Sequence, residues 1–475
     1  MNVLLAFLGN TVANFVIGLL IANFLGPEEY GRFALAFAIA IVVQTALYDW
    51  LRLSATRFYS GRARDGDPVV RSTLAVAFPV ITLLLFGCAG VYAFVGPTLD
   101  FDGALIMLAL ATATANGLFD YSTAVARARF DDGSYGKLVL VKNILALTLI
   151  GGGAFVFRSA GVALAGGVVS LIGAALFTRS GLRDPAASLR GGSRDVAREL
   201  FAYSAPIVAA HLLYQIMPLA SRAIVASVYD FAETGQFALA YDLGMRAVMA
   251  FGSALDVLLF QIAVASHEEH GEEHGKAQIA RNMSIVVAIL LPACVGLWGV
   301  MPSVEALIVP PQFRGPFGHY LGLLLPGLFA VGVTSFALNP VFQIEKRTAP
   351  LLIAAVAAAA VSLLLLFALP WGSDASNLAI AQAGGYLAAL AATIYFALRA
   401  QPVWPSMRDI AAAALATGVM WAALSHMRDM TPGFATLLLQ IGAGATIYAT
   451  LAAVFDIAAM RSLVAAWLRS RRVRP

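Results

Sequence analysis

Four charged residues lie inside long apolar stretches near the start of the chain. Asp49 and Arg52 are three positions apart, on one helix face, and Asp120 and Lys142 follow in later apolar runs. A charge inside a membrane span is costly and is by default a functional residue. We predict one polar cluster at the inner mouth of a cavity. The alternatives are a self-neutralised Asp49–Arg52 pair and a Lys142 side chain that extends to the lipid head groups.

Five more titratable residues lie inside apolar stretches further along: His211, Arg222, Asp242, Arg246 and Asp256. Guanidinium groups bind phosphate oxygens in pairs, so Arg222 and Arg246 would suit an anionic head group. Asp242 lies one turn from Arg246, so the alternative is an internal salt bridge, with Arg222 reaching the head groups. The negative charges of Asp242 and Asp256 would balance the positive charges of the arginines. His211 could relay protons, or it could make a structural hydrogen bond.

Helices must hold these charges in a membrane. Of the 475 residues, 60% are hydrophobic and 12% are charged, against roughly 25% charged in soluble domains; mean hydropathy is +0.81. The composition predicts an all-helical, multi-pass membrane protein with about 14 spans. The predicted spans are 3–25, 32–56, 70–95, 103–126, 138–157, 160–178, 200–228, 235–264, 283–304, 317–344, 349–369, 377–398, 409–426 and 434–458.

Basic residues predict the orientation of these spans, because Lys and Arg collect in short cytoplasmic loops. Of the 31 Lys and Arg, 23 fall in one set of alternating connections and 4 in the other. Both termini are therefore predicted to be cytoplasmic. The basic tail, 459–475, is expected to lie on anionic lipids of the inner leaflet. So short a segment is not expected to bind nucleic acid.

A short sequence occurs twice, 204 positions apart. Residues 29–36 read EYGRFALA and residues 233–240 read ETGQFALA, with six of eight positions identical. Each copy begins the second span of a six-span set, which predicts two repeats of one topology. The alternative is a chance match between two Ala-rich spans. The predicted organisation is an N-lobe at 1–178, a cytoplasmic linker at 179–199, a C-lobe at 200–398, two further spans at 399–458, and the tail.

Other motifs argue against enzymatic chemistry. Residues 267–275 read HEEHGEEHG and match H-x-x-E-H by letters, but no soluble domain surrounds them. We predict a solvated acidic segment and no metal site. Cys88 and Cys294 lie in apolar runs and suggest no disulfide. The sequence contains neither a Gly-rich phosphate loop nor a nucleophile elbow, so an integral membrane enzyme of glycan assembly is the less favoured alternative.

The first turn resembles a known family. Residues 25–31 read LGPEEYG and are followed by FALA at 33–36. This start is similar to that of the bacterial polysaccharide transporters, which belong to the MOP superfamily together with the MATE antiporters and the lipid II flippases.

The resemblance implies two six-helix lobes in a MATE-like V-shaped arrangement plus two C-terminal helices, in the bacterial cytoplasmic (inner) membrane. It implies a flippase that moves polyprenyl-pyrophosphate-linked oligosaccharide by alternating access for exopolysaccharide, capsule or O-antigen. It implies coupling to H⁺ or Na⁺ rather than a bound cofactor, and a polysaccharide polymerase and glycosyltransferases as partners.

Flippases of this superfamily have a cationic cavity. In this chain Arg52, Arg222 and Arg246 would line it, with Lys142 as a further substrate contact. An acid within one turn of both Arg52 and Arg246 departs from a purely cationic pattern. A MATE-like drug or cation antiporter is the alternative function. Its site should be dominated by acids, whereas basic residues roughly match the acids within these spans, so the sequence disfavours it.

Overall fold

A computed structural model describes residues 3–59, 68–96, 101–188, 190–344, 349–400, 404–459 and 461. The side chains of several residues between 253 and 272, and the predicted basic tail from 462 onward, lie outside this description. Over the described residues the chain is helical and has no strand. The α-helices are α1 Val3–Leu47, α2 Asp49–Phe58, α3 Val69–Val95, α4 Gly103–Ala128, α5 Asp132–Ala146, α6 Gly152–Phe157, α7 Ala160–Leu182, α8 Arg194–Val228, α9 Phe231–His270, α10 Glu272–Gly299, α11 Met301–Leu307, α12 Pro316–Val333, α13 Asn339–Ile344, α14 Ala349–Ala368, α15 Ser376–Ala400, α16 Met407–His426 and α17 Phe434–Phe455.

Within the described residues, twelve helical stretches are long and apolar enough to cross a membrane. The first, Gly9–Leu47, has 39 residues and is interrupted at Gly26, where φ is 73°. A left-handed φ is readily available to glycine. At about 1.5 Å per residue this stretch is roughly twice as long as the hydrocarbon core is thick, so it supplies two crossings. α9 is a further helix of 40 residues, which brings the total close to the predicted 14.

The chain divides into two compact units, Met1–Ala238 and Leu239–Pro475. In the first unit α1 packs on α4, α5 and α8, while α7 packs on α4 and α5. In the second unit α10 packs on α12 and α16, α15 packs on α12 and α14, and α17 packs on α16. The first unit includes α8 and the first two turns of α9. The predicted lobe boundaries were derived from the repeat and stay a prediction.

The segment between α7 and α8 packs against residues of α3 and residues that follow α2 and α4. Asp184, 9% exposed, accepts a hydrogen bond of 2.7 Å from the hydroxyl of Tyr59. Arg129 donates to the same hydroxyl at 2.8 Å, and the backbone N–H of Ser188 donates to Ser72 at 3.1 Å. Burial and the bond to Asp184 raise the pKa of Tyr59. Tyr59 therefore stays a donor at physiological pH and holds this segment in place.

Candidate functional site

Tyr48 lies between α1 and α2, and its packing determines where Asp49 and Arg52 lie. Its side chain is 1% exposed, and its hydroxyl hydrogen bonds with Thr82 and Thr114, at 3.1 Å each. Its ring lies against Gly117 of α4, where an added Cβ would be 2.6 Å from the ring. This packing places Asp49, the first residue of α2, beside α4.

Asp49, Arg52 and His211 form a loose ionic group. The Nε and Nη2 atoms of Arg52 lie 3.4 and 3.3 Å from the carboxylate oxygens of Asp49. The Nδ1 atom of His211 lies 3.9 Å from Asp49. Charge-assisted hydrogen bonds are normally about 2.7–2.9 Å long, so these contacts are weak. The side chains of Arg52 and His211 are 29% and 49% exposed, and both can therefore reach a ligand.

The position of His211 follows from a contact two turns earlier in α8. The hydroxyl groups of Ser54 and Ser204 are 3.1 Å apart, and Ser204 also donates to the carbonyl oxygen of Trp50 at 3.4 Å. Both serines are fully buried. Residues seven positions apart share a helix face. Clamping Ser204 against α2 therefore directs His211 toward Asp49.

Asp120 completes a group that we call the α2 cluster: Gln44, Asp49, Arg52, Asp120 and His211. The amide of Gln44 donates to Asp120 at 2.8 Å, and Asp120 lies within electrostatic range of both Arg52 and Asp49. The four titratable members carry one net negative charge with a neutral imidazole and none with a protonated imidazole. Asp49, Arg52 and Asp120 lie together, whereas Lys142, the fourth residue of the predicted cluster, bonds to asparagines instead. The cluster is chemically able to accept a proton.

Lys142 is held by asparagines. Its ammonium group donates to Asn14 at 2.6 Å, to Asn143 at 3.0 Å and to Asn10 at 3.4 Å. Asn10 and Asn14 belong to α1, so Lys142 links α5 to α1.

Arg222 lies in the packing between α8 and α1. It is 4% exposed, and its Nη1 atom donates to the carbonyl oxygen of Ala34 at 3.0 Å. This burial favours a role in joining two helices over direct contact with a ligand.

Asp242 and Arg246 lie one turn apart on α9, in the second unit, and both are half-buried. The preceding residue, Tyr241, packs on α15, where its hydroxyl is 2.9 Å from that of Tyr386. This contact holds against α15 the turn of α9 that carries Asp242 and Arg246. The side chain of Asp256 lies outside the described part of the structure.

The two copies of the repeated sequence contact each other. A Cβ built on Gly31 would lie 1.9 Å from the carbonyl oxygen of Phe231, and one built on Gly235 would lie 2.0 Å from that of Pro27. Pro27 precedes Gly31 by four positions, as Phe231 precedes Gly235. The contact is therefore symmetric: each glycine packs on the carbonyl of the residue that lies two positions before the other copy. Both glycines fall within the first unit.

Sequence reasoning missed several polar residues of these sites. Gln44, Asn10 and Asn14 are uncharged amides in apolar spans, and the spacing of four between the two asparagines was a readable sign of a shared helix face. For the acidic segment 267–275, most side chains lie outside the described part. Among the side chains that are described, no group of three or more His, Cys, Asp or Glu residues could hold a metal ion.

The model of the polysaccharide biosynthesis protein family matches residues 20–309, which is more than half of the chain and includes the α2 cluster and both glycines. The chain belongs to this family. A search by sequence found no matching curated protein.

Solved structures show the fold of this member of the polysaccharide biosynthesis family. The lipid II flippase MurJ in an inward closed conformation matches with a TM-score of 0.74 and 13% identity, over 97% of this chain and 99% of that chain. An inward-facing MATE multidrug resistance transporter of the MOP superfamily matches with a TM-score of 0.56 and 15% identity, over 82% and 94%. The Vibrio cholerae MATE transporter VcmN matches with a TM-score of 0.51 and 16% identity, over 82% and 99%.

The family match confirms the resemblance to a polysaccharide family, and the solved structures confirm that the fold resembles those of MurJ and of the MATE transporters. They also confirm the all-helical, multi-pass fold. The fold is similar to those of MurJ and of the MATE transporters.

Proposed function

We propose that this protein is a flippase that moves polyprenyl-pyrophosphate-linked oligosaccharide across the bacterial cytoplasmic membrane for surface polysaccharide synthesis. The family match carries this proposal, because a polysaccharide biosynthesis protein whose fold resembles that of a lipid II flippase is suited to moving a glycan precursor. The likeness to MurJ, a lipid II flippase, supports a lipid-linked substrate. A glycosyltransferase would supply the substrate inside, and a polymerase would take it outside.

Alternating access is the proposed mechanism, with both termini in the cytoplasm. Of the Lys and Arg residues, 23 lie in the connections predicted to be cytoplasmic and 4 lie in the alternate connections, which supports this orientation. It would place the α2 cluster toward the cytoplasm and the contact between Gly31 and Gly235 toward the outside. The glycine contact would then close the outer end of the route while the cluster receives the substrate. Opening the outer end would require the two glycines to separate.

Arg52 would make the first contact with the pyrophosphate. Its bonds to Asp49 are long, so phosphate oxygens could replace that carboxylate at little cost. A proton on His211 would then balance the negative charge of Asp49 after Arg52 has moved to the phosphate. Uptake of this proton would couple transport to H⁺. Arg246 on α9 would make a later contact. We propose that Arg222 and Lys142, although predicted as substrate contacts, mainly join helices, because Ala34 and the three asparagines hold them.

Flipping in proteoliposomes tests this assignment. A glycosidase that cannot cross the membrane reports how fast radiolabelled polyprenyl-pyrophosphate-linked oligosaccharide reaches the outer leaflet. A charge-assisted hydrogen bond contributes about 1.5–3 kcal/mol, so Arg52→Ala and Arg246→Ala should each slow flipping by about 10-fold or more. Arg399→Ala is the matched control, because that guanidinium stacks on Tyr395 at the end of α15. Normal flipping by a folded double variant would exclude both arginines.

A cation antiporter is the second candidate, favoured by two carboxylates, Asp49 and Asp120, in the α2 cluster. The same proteoliposomes separate the two functions. Ethidium export that depends on Asp49, without any flipping of the lipid-linked oligosaccharide, would overturn the flippase proposal. Flipping without ethidium export would support it.

A further inference from the structure

The amide oxygens of three asparagines converge on the ammonium group of Lys142. The distances from Nζ are 2.6 Å to Asn14, 3.0 Å to Asn143 and 3.4 Å to Asn10. An ammonium group has three protons and no acceptor, so these oxygens match its donors in number. All three oxygens belong to neutral amides, so none of them carries a charge that opposes the ammonium group.

Two helices bring these oxygens together. Asn10 and Asn14 are one turn apart and share a face of α1, which packs on α5. Asn143 follows Lys142 on α5. A lysine that merely escaped the lipid would extend its ammonium group to the head groups. The Lys142 side chain is instead part-buried and bridges two helices. Amides are costly to bury without hydrogen bonds, so three of them around one point form a built site.

Convergent amide oxygens are also the ligands of hard cations. Carbonyl oxygens replace the hydration shell of K⁺ in channel filters, and oxygen donors in general suit cations that bind water strongly. The ammonium group of Lys142 carries the same unit charge as Na⁺ or K⁺ and occupies the point where such an ion would be coordinated.

We propose that Asn10, Asn14 and Asn143 form a monovalent cation site whose permanent occupant is the ammonium group of Lys142. The first unit thus carries a tethered cation that joins α1 to α5 without drawing an ion from solution. Removing the ammonium group opens the site to a free cation. This inference is independent of the proposed function, because it concerns ion binding and stability and not the substrate.

Sodium binding to purified full-length protein in detergent tests the proposal. Binding of ²²Na⁺ is measured together with thermal unfolding in NaCl and in N-methyl-D-glucamine chloride at the same ionic strength. Lys142→Ala should bind one more Na⁺ per molecule than wild type. Its Tm should rise saturably with Na⁺, because a ligand that binds only the folded state stabilises it. Propylammonium chloride, which restores the missing ammonium group, should raise the Tm as well.

Lys137→Ala is the matched control, since Lys137 is an exposed lysine on the same helix. It should bind as much Na⁺ as wild type. Adding Asn14→Leu to Lys142→Ala should remove the extra ion. A folded Lys142→Ala protein that binds no extra Na⁺ would overturn the proposal. If that variant does not fold, Lys142→Met with Asn14→Asp restores a charge to the site and should bind the extra ion. Its failure to bind, when folded, would overturn the proposal equally.

Discussion

Alanine at Gly31 or Gly235 should force the two copies of the repeat apart. A Cβ at these positions would lie 1.9 Å from the carbonyl oxygen of Phe231 and 2.0 Å from that of Pro27, whereas ordinary van der Waals contact begins at 3.4 Å. The backbones must therefore separate by about 1.4 Å, because a carbonyl oxygen cannot rotate away as a flexible side chain can. Overpacking of this kind typically costs about 1–3 kcal/mol.

That cost applies only to the state in which the glycines touch. An energy of about 1–3 kcal/mol changes the ratio of two states by about 5- to 150-fold. Hydrogen exchange of the backbone amides in segments 27–35 and 231–238, followed by mass spectrometry, measures this opening. Either substitution should accelerate exchange in both segments, because each glycine packs on the other copy.

Gly90→Ala in α3 is the matched control. No atom lies within 4 Å of a Cβ at position 90, and alanine is preferred to glycine inside a helix by about 1 kcal/mol. This variant should keep wild-type exchange and an equal or higher Tm. Wild-type exchange in both Gly31→Ala and Gly235→Ala would refute the close contact. Faster exchange with undiminished flipping would refute its role in closing the route.

Two further predictions concern the ends of helices. Tyr59→Phe removes a donor to the buried carboxylate of Asp184 and should lower the free energy of unfolding by about 1–3 kcal/mol, whereas Tyr203→Phe, at an exposed ring, should change it by less than about 0.5 kcal/mol in thermal unfolding. Asp131 caps α5 by accepting from the backbone N–H of Ser134 at 2.9 Å, so Asp131→Ala should cost about 1 kcal/mol at pH 7, while Asp131→Asn keeps the acceptor and most of the stability. The hydrogen bonds from Ser134 hold the pKa of Asp131 below its ordinary value. The charged part of the cap is therefore lost as the pH falls through that lowered pKa, and the stabilities of wild type and Asp131→Ala should move closer together at acid pH.

The spans could be predicted because lipid offers the backbone no hydrogen-bond partner, so a long apolar run must become a helix. The predicted span 160–178 is α7, Ala160–Leu182, and the predicted span 377–398 is α15, Ser376–Ala400. The break at Tyr48 could not be predicted in this way. It depends on hydroxyl partners 34 and 66 positions away.

In the candidate site, contacts between residues close in sequence could be predicted, and contacts between distant residues could not. Asp49 and Arg52 pair because three positions bring them to one helix face, which the sequence shows directly. His211 reaches Asp49 because Ser204 is clamped to Ser54, a contact across 150 positions. The burial of Arg222 depends on how α8 meets α1, which no local pattern in the sequence reveals.

The repeat is symmetric at its glycines and asymmetric in its charges. Arg52 follows Gly31 by 21 positions, whereas Arg246 follows Gly235 by 11. At about 1.5 Å per residue, Arg52 lies roughly 32 Å from Gly31 measured along α1 and then α2, and Arg246 lies roughly 16 Å from Gly235 along α9. Because Arg52 lies on α2 and Arg246 lies on α9, each several turns away from the glycine contact, the two copies could diverge in charge while the contact between them was kept.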